Sequence, residues 1–191
     1  MIKSIIFDCF GVLAVDSWLP FKDEHFGGNE KLINAATRLN RQADRGEISN
    51  EEFIHEIALL AGVTTGAASQ QIGHNPANRP LFNYINENLK DRYKLGVLSN
   101  ASTDWTGRLF TPEQLGLFDA IVMSYQIGLI KPDPGAYMAI SQKLDSLPEQ
   151  CVFVDDQERH CEGARQAGMK AVLYRDFKQF KSEINQILSS Q

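Results

Sequence analysis

Apolar positions along the chain fall into two kinds of pattern. Five short runs, Ile2 to Phe7, Lys94 to Leu98, Ala120 to Met123, Cys151 to Val154 and Lys170 to Tyr174, are rich in β-branched or apolar residues and mostly continuous rather than alternating. Continuous runs of this length read as strands covered on both faces. Between them lie segments with helical spacing: Pro134 to Leu144 opens with a proline suited to a first turn, Gln157 to Ala167 stops at Gly168, and Asp176 to Leu188 starts on a capping residue. Strands alternating with helices predict an α/β fold, a Rossmann-like doubly wound parallel sheet covered by crossover helices.

The stretch from Asp16 to Asn88 breaks this alternation, with helical periods and no strand. Glu30 to Ala43 is periodic, and Ser49 with Glu52 forms a capping box ahead of Phe53, Ile54, Ile57 and Leu60. Thr65 to Ile72 and Arg79 to Leu89 read as further helices. The expectation is a small helical cap of residues 16–88, inserted after the first strand into a core of residues 1–15 and 89–191. Such an insertion would sit above the carboxyl edge of the sheet.

A length of 191 residues allows one core with an accessory rather than two full-sized domains. With 19 basic and 24 acidic residues the net charge is −5, so the basic excess that nucleic acid requires is missing. The first apolar run is broken by Asp8 and is too short for a membrane span or a signal-peptide core. Three cysteines, Cys9, Cys151 and Cys161, suit reduced thiols in a cytoplasmic protein better than a disulfide framework.

Ligands of open α/β sheets bind beyond the carboxyl ends of the strands. The polar residues there are Asp8, Ser99 with Asn100, Lys131, and the pair Asp155 and Asp156. A carboxylate such as Asp8 can attack phosphorus or carbon and form an ester intermediate. Two more acids beside it would repel an anionic substrate unless a cation sat among them, and Mg²⁺ favours a few carboxylates plus phosphate oxygens. Lys131 adds fixed positive charge, while the Ser99 hydroxyl, Asn100 and nearby backbone N–H groups can bind phosphoryl oxygens. Each residue also has a plainer reading. Asp8 can end a strand before the turn at Gly11, Ser99-Asn100 and the acid pair can cap helices, and Lys131-Pro132-Asp133-Pro134 can be a rigid loop. The shared strand-end placement of all of them favours a single site.

These segments resemble the haloacid dehalogenase-like hydrolases. The resemblance rests on Ile5-Ile6-Phe7-Asp8-Cys9-Phe10-Gly11-Val12-Leu13, on Val97-Leu98-Ser99-Asn100, on Lys131-Pro132-Asp133-Pro134 preceded by Gly128, and on Val152-Phe153-Val154-Asp155-Asp156. Asp44 to Ser49, followed by Glu52-Phe53, is similar to the helical cap of the glucose-1-phosphate phosphatase-like branch. The resemblance implies Mg²⁺ held by Asp8, the Phe10 carbonyl, Asp155 and Asp156, an aspartyl-phosphate on Asp8, and a small phosphorylated metabolite as substrate. One position departs from it. Family phosphatases carry a second aspartate where this chain has Phe10, and losing that acid–base group costs about 10²- to 10⁴-fold in rate. The family's 2-haloacid dehalogenases carry tyrosine there and expel a halide that needs no proton, which is the rival expectation. A binding module for phosphorylated ligands or a protein partner is the third. His160 stands where the family more often has asparagine, and a packing or capping role is expected ahead of a substitute base. His25, His55 and His74 read as ordinary polar residues, Trp18, Phe21, Phe26 and Phe53 as the core of the bundle, and Trp105 and Phe110 as packing residues.

Overall fold

The computed structural model describes residues 1–189. Strand β1 (Ser4–Phe7) lies at the centre of a five-stranded sheet with β2 (Lys94–Ser99), β3 (Ala120–Met123), β4 (Cys151–Asp155) and β5 (Lys170–Leu173), in the order β3-β2-β1-β4-β5. Every neighbouring pair is parallel. The expected doubly wound α/β architecture is therefore the one observed. Successive residues of a strand face opposite ways. Ile5, Phe7, Val152 and Val154 enter one apolar cluster, and Ile6 and Phe153 enter the other. Both faces are covered, which is why the strands read as unbroken apolar runs rather than alternating ones.

Four helices are inserted in the chain between β1 and β2: α1 (Trp18–Phe26), α2 (Glu30–Asp44), α3 (Asn50–Ala61) and α4 (Thr65–Ile72). They share a cluster of their own, in which Phe26, Ala36, Ile57 and Ala68 are almost fully buried. The capping box at Ser49 and Glu52 is formed, and Gly62 closes α3 in the left-handed region. Helix α1 was not legible from periodicity, since its buried residues Phe21 and Phe26 stand five apart and trace no helical stripe.

The segment Arg79 to Leu89 belongs elsewhere than its expected place in the insertion. Helix α5 (Arg79–Tyr84) runs on into a π-helical turn, Ile85–Leu89, and its Leu81, Phe82, Tyr84, Ile85 and Leu89 join the sheet's cluster. A helical period alone cannot say which of two cores a helix faces. The chain leaves for the insertion and returns from it side by side. Val15 N–H donates to Pro76 O at 3.0 Å, and the Asn78 amide donates to Val12 O at 2.9 Å and to the Tyr174 hydroxyl at 2.7 Å.

The short helices α6 (Thr106–Leu109), α7 (Pro112–Leu115) and α8 (Ser124–Ile127) fill the connections around β3. Helices α9 (Pro134–Lys143) and α10 (Glu158–Gln166) cover one face of the sheet, and α11 (Phe177–Ser189) covers the other through Phe180 and Ile184. All three cysteines are free and buried, and among the described residues no helix is long and apolar enough to cross a membrane.

Candidate active site

Parallel strands with matched register put their carboxyl ends at one edge, so the residues at the ends of β1, β2 and β4 must meet there. Phe7 pairs with Val97 on one side and with Val154 on the other, which brings Asp8 level with Asp155 and puts Ser99 one residue further along the edge. Lys131 reaches in from the loop ahead of α9. Its Nζ lies 2.7 Å from Asp8 Oδ1 and 2.7 Å from Asp155 Oδ2, and its side chain is wholly buried. The Lys131 ammonium also stands 5.3 Å over the Phe153 ring.

Two carboxylates, Asp8 and Asp155, flank this one ammonium, and a third, Asp156, feels its charge. Burial works against charge on Asp155, but Lys131 and His160 outweigh it and hold that carboxyl well below the usual range. Burial dominates at Asp8 and, with the charges of Asp155 and Asp156, raises it well above the usual range despite Lys131. Burial and the neighbouring Asp155 likewise push Asp156 up to about 6. For Lys131 burial favours the neutral amine, yet Asp155 and Asp8 win and keep the pKa above the ordinary value. Asp156 Oδ1 is buried and, among the described residues, has no hydrogen-bond partner. The carboxylate lies against Gly11, where an added Cβ would come within 2.3 Å of Asp156 Oδ2 and where φ is +90°. Only glycine leaves the turn after Asp8 free to pass so close to an acid.

The site floors a cavity of about 870 Å³. Asp8, Phe10, Asn100, Lys131 and His160 line it from the sheet side, and Trp18, Asn40, Asp44, Phe53 and Ile72 line it from the insertion. Arg108 Nη1 donates to Gly73 O at 2.8 Å and so ties α6 to the end of α4 at the cavity wall.

The pattern of haloacid dehalogenase-like hydrolases matches residues 2–168, most of the chain and every element of this site. The chain belongs to the haloacid dehalogenase-like hydrolase family. A phosphatase of Mycobacterium tuberculosis is 39% identical over 213 residues, covering 99% of this chain and 94% of that protein. Among solved structures, a Porphyromonas gingivalis protein predicted to be a HAD-like family hydrolase superposes with a TM-score of 0.76 at 23% identity, covering all of both chains. A Bacteroides thetaiotaomicron enzyme of the family, in complex with magnesium and inorganic phosphate, gives a TM-score of 0.70 at 22% identity, covering 94% of this chain and 99% of that one. At these identities the two structures speak for the fold alone.

Against this family background, two expected phosphoryl contacts are placed differently. Ser99 is fully buried and is absent from the cavity wall, because its hydroxyl accepts from Trp105 Nε1 at 3.3 Å. Asn100 stands at the wall, but its side chain clasps the Lys131 backbone: Lys131 N–H donates to Asn100 Oδ1 at 2.8 Å, and Asn100 Nδ2 donates to Lys131 O at 3.2 Å. The amide thus fixes the loop that delivers the lysine. His160 does more than pack. Its Nδ1 lies 3.1 Å and 3.2 Å from the two Asp155 oxygens, its Nε2 is buried without a partner, and burial lowers its pKa. A neutral imidazole donating from Nδ1 braces Asp155 for Lys131.

Asp44 was missed as an individual residue. It is 8% exposed at the last turn of α2 and lines the cavity opposite Lys131. The available signal was phase: Ala36, Asn40, Ala43 and Asp44 fall on the buried stripe of α2, where an acid is out of place. Trp18 and Phe53, expected as bundle core, also form part of the cavity wall, their ring centroids 5.4 Å apart.

Proposed function

We propose that this chain is a Mg²⁺-dependent phosphatase that hydrolyses a small phosphorylated metabolite through an aspartyl-phosphate on Asp8. The observation that carries the reading is Asp8 Oδ1, held at 2.7 Å by a buried lysine at the floor of a cavity large enough for a metabolite. Asp8 attacks phosphorus, and Lys131 holds the carboxylate in place while offsetting charge on the transferring group. Backbone N–H groups after β2, rather than the Ser99 hydroxyl, are then the donors available to the phosphoryl oxygens.

The residues fit a divalent cation. Asp8, Asp155 and Asp156 set against one buried ammonium leave excess negative charge, and Asp8, Asp155 and His160 offer ligand atoms within 4.8 Å of one another. An Asp156 Oδ1 without a partner among the described residues, with its raised pKa, is what an acid shows where a cation belongs. Asp8, the Phe10 carbonyl and Asp156 would hold it, with Asp155 engaged by Lys131 and His160. Bound there, Mg²⁺ would neutralise the phosphate and let Asp8 ionise. A Bacteroides thetaiotaomicron enzyme of the same fold holds magnesium and inorganic phosphate, in keeping with a Mg²⁺ cofactor here.

Helices α1 to α4, from residue 16 to residue 73, act in this reading as a cap that closes the cavity over the sheet edge. The buried free cysteines fit a reducing, cytoplasmic setting. Phe10 cannot move a proton, so turnover on alkyl phosphates depends on an acid supplied from elsewhere in the site.

The test is phosphate release from an aryl phosphate with and without Mg²⁺, repeated with Asp8→Asn. Metal-dependent release that the substitution abolishes is expected. Metal-independent halide release from 2-chloropropionate would favour carbon chemistry on the same aspartate, the reading that Phe10 suits. Without another proton donor in the site, Phe10→Asp should raise turnover on an alkyl phosphate at least about tenfold, within the usual worth of a positioned acid. An unchanged rate would mean that another group already supplies the proton.

A further inference from the structure

Breaking a phosphate ester of an alcohol needs a proton for the leaving oxygen, because an alkoxide is too basic to depart unaided. The acids of the site floor are committed elsewhere: Asp8 to attack, Asp155 to Lys131 and His160, and Asp156 to the cation side. His160 already uses Nδ1 on Asp155. Asp16, also in the wall, has its pKa raised by burial, but its Oδ1 is taken by the Trp18 N–H at 2.8 Å at the start of α1, a bond that works toward its ionised form. Phe10 has no proton to give.

Asp44 has one, and it is held in place. Asn40 Nδ2 donates to Asp44 Oδ2 at 2.7 Å, and among the described residues no hydrogen bond reaches Oδ1, which is left to the cavity the residue lines. Two contacts pin this end of α2 to the core. The Ser124 hydroxyl donates to the Asp44 carbonyl, and Gly46 turns in the left-handed region with its Cα so close to Tyr125 O that a Cβ would stand 2.8 Å from it. The side chain therefore lines the cavity it shares with Lys131 and Asp8 from a fixed place rather than from a swinging cap. A helix C-terminus disfavours an anion, so the proton is retained. Facing charges are Lys131 from the loop before α9, Asp16 from the segment after β1 and Arg159 from α10, with Arg41 and Arg45 on its own helix end. Burial, partly offset by Asn40 and Lys131, pushes Asp44 up to about 7.

We propose that Asp44 is the general acid and base of this site, reaching in from the helical insertion to do what Phe10 cannot; the proposal rests on the phosphatase reading above. As the Asp8–phosphorus bond forms and the phosphorus–oxygen bond to the alcohol breaks, Asp44 gives its proton to the leaving oxygen. The Asp44 carboxylate then takes a proton from the water that attacks phosphorus, the bond to Asp8 breaks, and phosphate leaves with Asp8 ionised and Asp44 protonated again.

The experiment compares wild type and Asp44→Asn on para-nitrophenyl phosphate, whose leaving group departs unprotonated, and on a primary alkyl phosphate, both with Mg²⁺. Asparagine keeps the bond to Asn40 and removes only the proton. The expected result is an alkyl turnover reduced about 10²-fold, with the aryl ester still giving a rapid burst of one nitrophenolate per site before a slowed steady state. The retained burst shows that the variant is folded and its nucleophile intact. Equal alkyl rates in the two proteins, or a burst lost together with turnover, would overturn the assignment. Wild type that releases no phosphate from the aryl ester would overturn the phosphatase reading as well, so the two failures are distinguishable.

Discussion

Two buried carboxylates, one beneath the cavity on the sheet side and one in its wall on the insertion side, meet opposite fates. Asp155, on the sheet side, has Lys131 Nζ at 2.7 Å and His160 Nδ1 at 3.1 Å, and its carboxyl is held low. Asp44, on the insertion side, has among the described residues only the Asn40 amide within bonding distance and is pushed up to about 7. Depth of burial hardly separates them. What separates them is a cation in contact, which repays the desolvation of an ionised acid where a neutral amide does so only in part. The sheet side is thereby built to hold charge and the insertion side to hold a proton.

The sharpest way to break this contrast is to take the cation away. Lys131→Met fills similar volume but leaves Asp8 and Asp155 facing each other without their shared ammonium. Removing one partner of a buried ion pair costs about 3 to 5 kcal/mol, the largest effect expected here. Urea unfolding at pH 7 measures it, and the deficit should shrink in acid, where both carboxylates accept protons. A loss below about 1 kcal/mol would show that something other than Lys131 keeps Asp155 ionised.

Next in size is the pH dependence of the insertion side. An unfolded aspartate titrates near 3.8 and folded Asp44 near 7, so the folded state binds the extra proton between these values. Its stabilising share is complete below about pH 4 and is lost as pH rises through 7. Asp44→Asn removes this loss, while Asp8 and Asp156, which also titrate high, remain in both proteins and cancel in the difference. Relative to wild type the variant should gain about 2 kcal/mol between pH 5 and pH 8, since each unit is worth about 1.4 kcal/mol. A difference that stays flat across this range would mean that Asp44 is ionised throughout and shares the behaviour of Asp155.

The same contrast explains what could be read from the chain. Asp8, Lys131, Asp155 and Asp156 follow strands or short loops of a parallel sheet, and the register of such a sheet carries strand-end residues to one edge whatever the sequence distance between them. Ser99 obeyed that rule in position but not in role, because its hydroxyl is taken by Trp105, a contact six residues away that no strand pattern announces. The insertion offers no such rule. Asp44 reaches the site only through the crossing of α2 over α8, fixed by Ser124 and by the backbone at Gly46 and Tyr125. Arg79 to Leu89 shows the same limit, since its period marks a helix but not which core that helix covers.

The smallest expected effect sharpens the contrast by leaving both carboxylates alone. Ser49 begins α3 just beyond the turn after Asp44. The Ser49 Oγ accepts from Glu52 N at 3.1 Å, and Glu52 Oε2 accepts from Ser49 N at 2.8 Å, both in solvent. Ser49→Ala should cost about 1 kcal/mol, the usual worth of an N-cap. Glu52, whose carboxyl the Ser49 backbone and side chain hold below its ordinary value, titrates outside the range from pH 5 to pH 8. The loss should therefore be uniform across that range in urea unfolding, because the proton affinity of Asp44 is set by its burial and by the contacts of α2 with α8. If the loss instead grew or shrank between pH 5 and pH 8, the start of α3 would be helping to set that affinity. The insertion side would then be a cooperative unit in which the proton at Asp44 depends on cap packing, rather than a single acid fixed against the core.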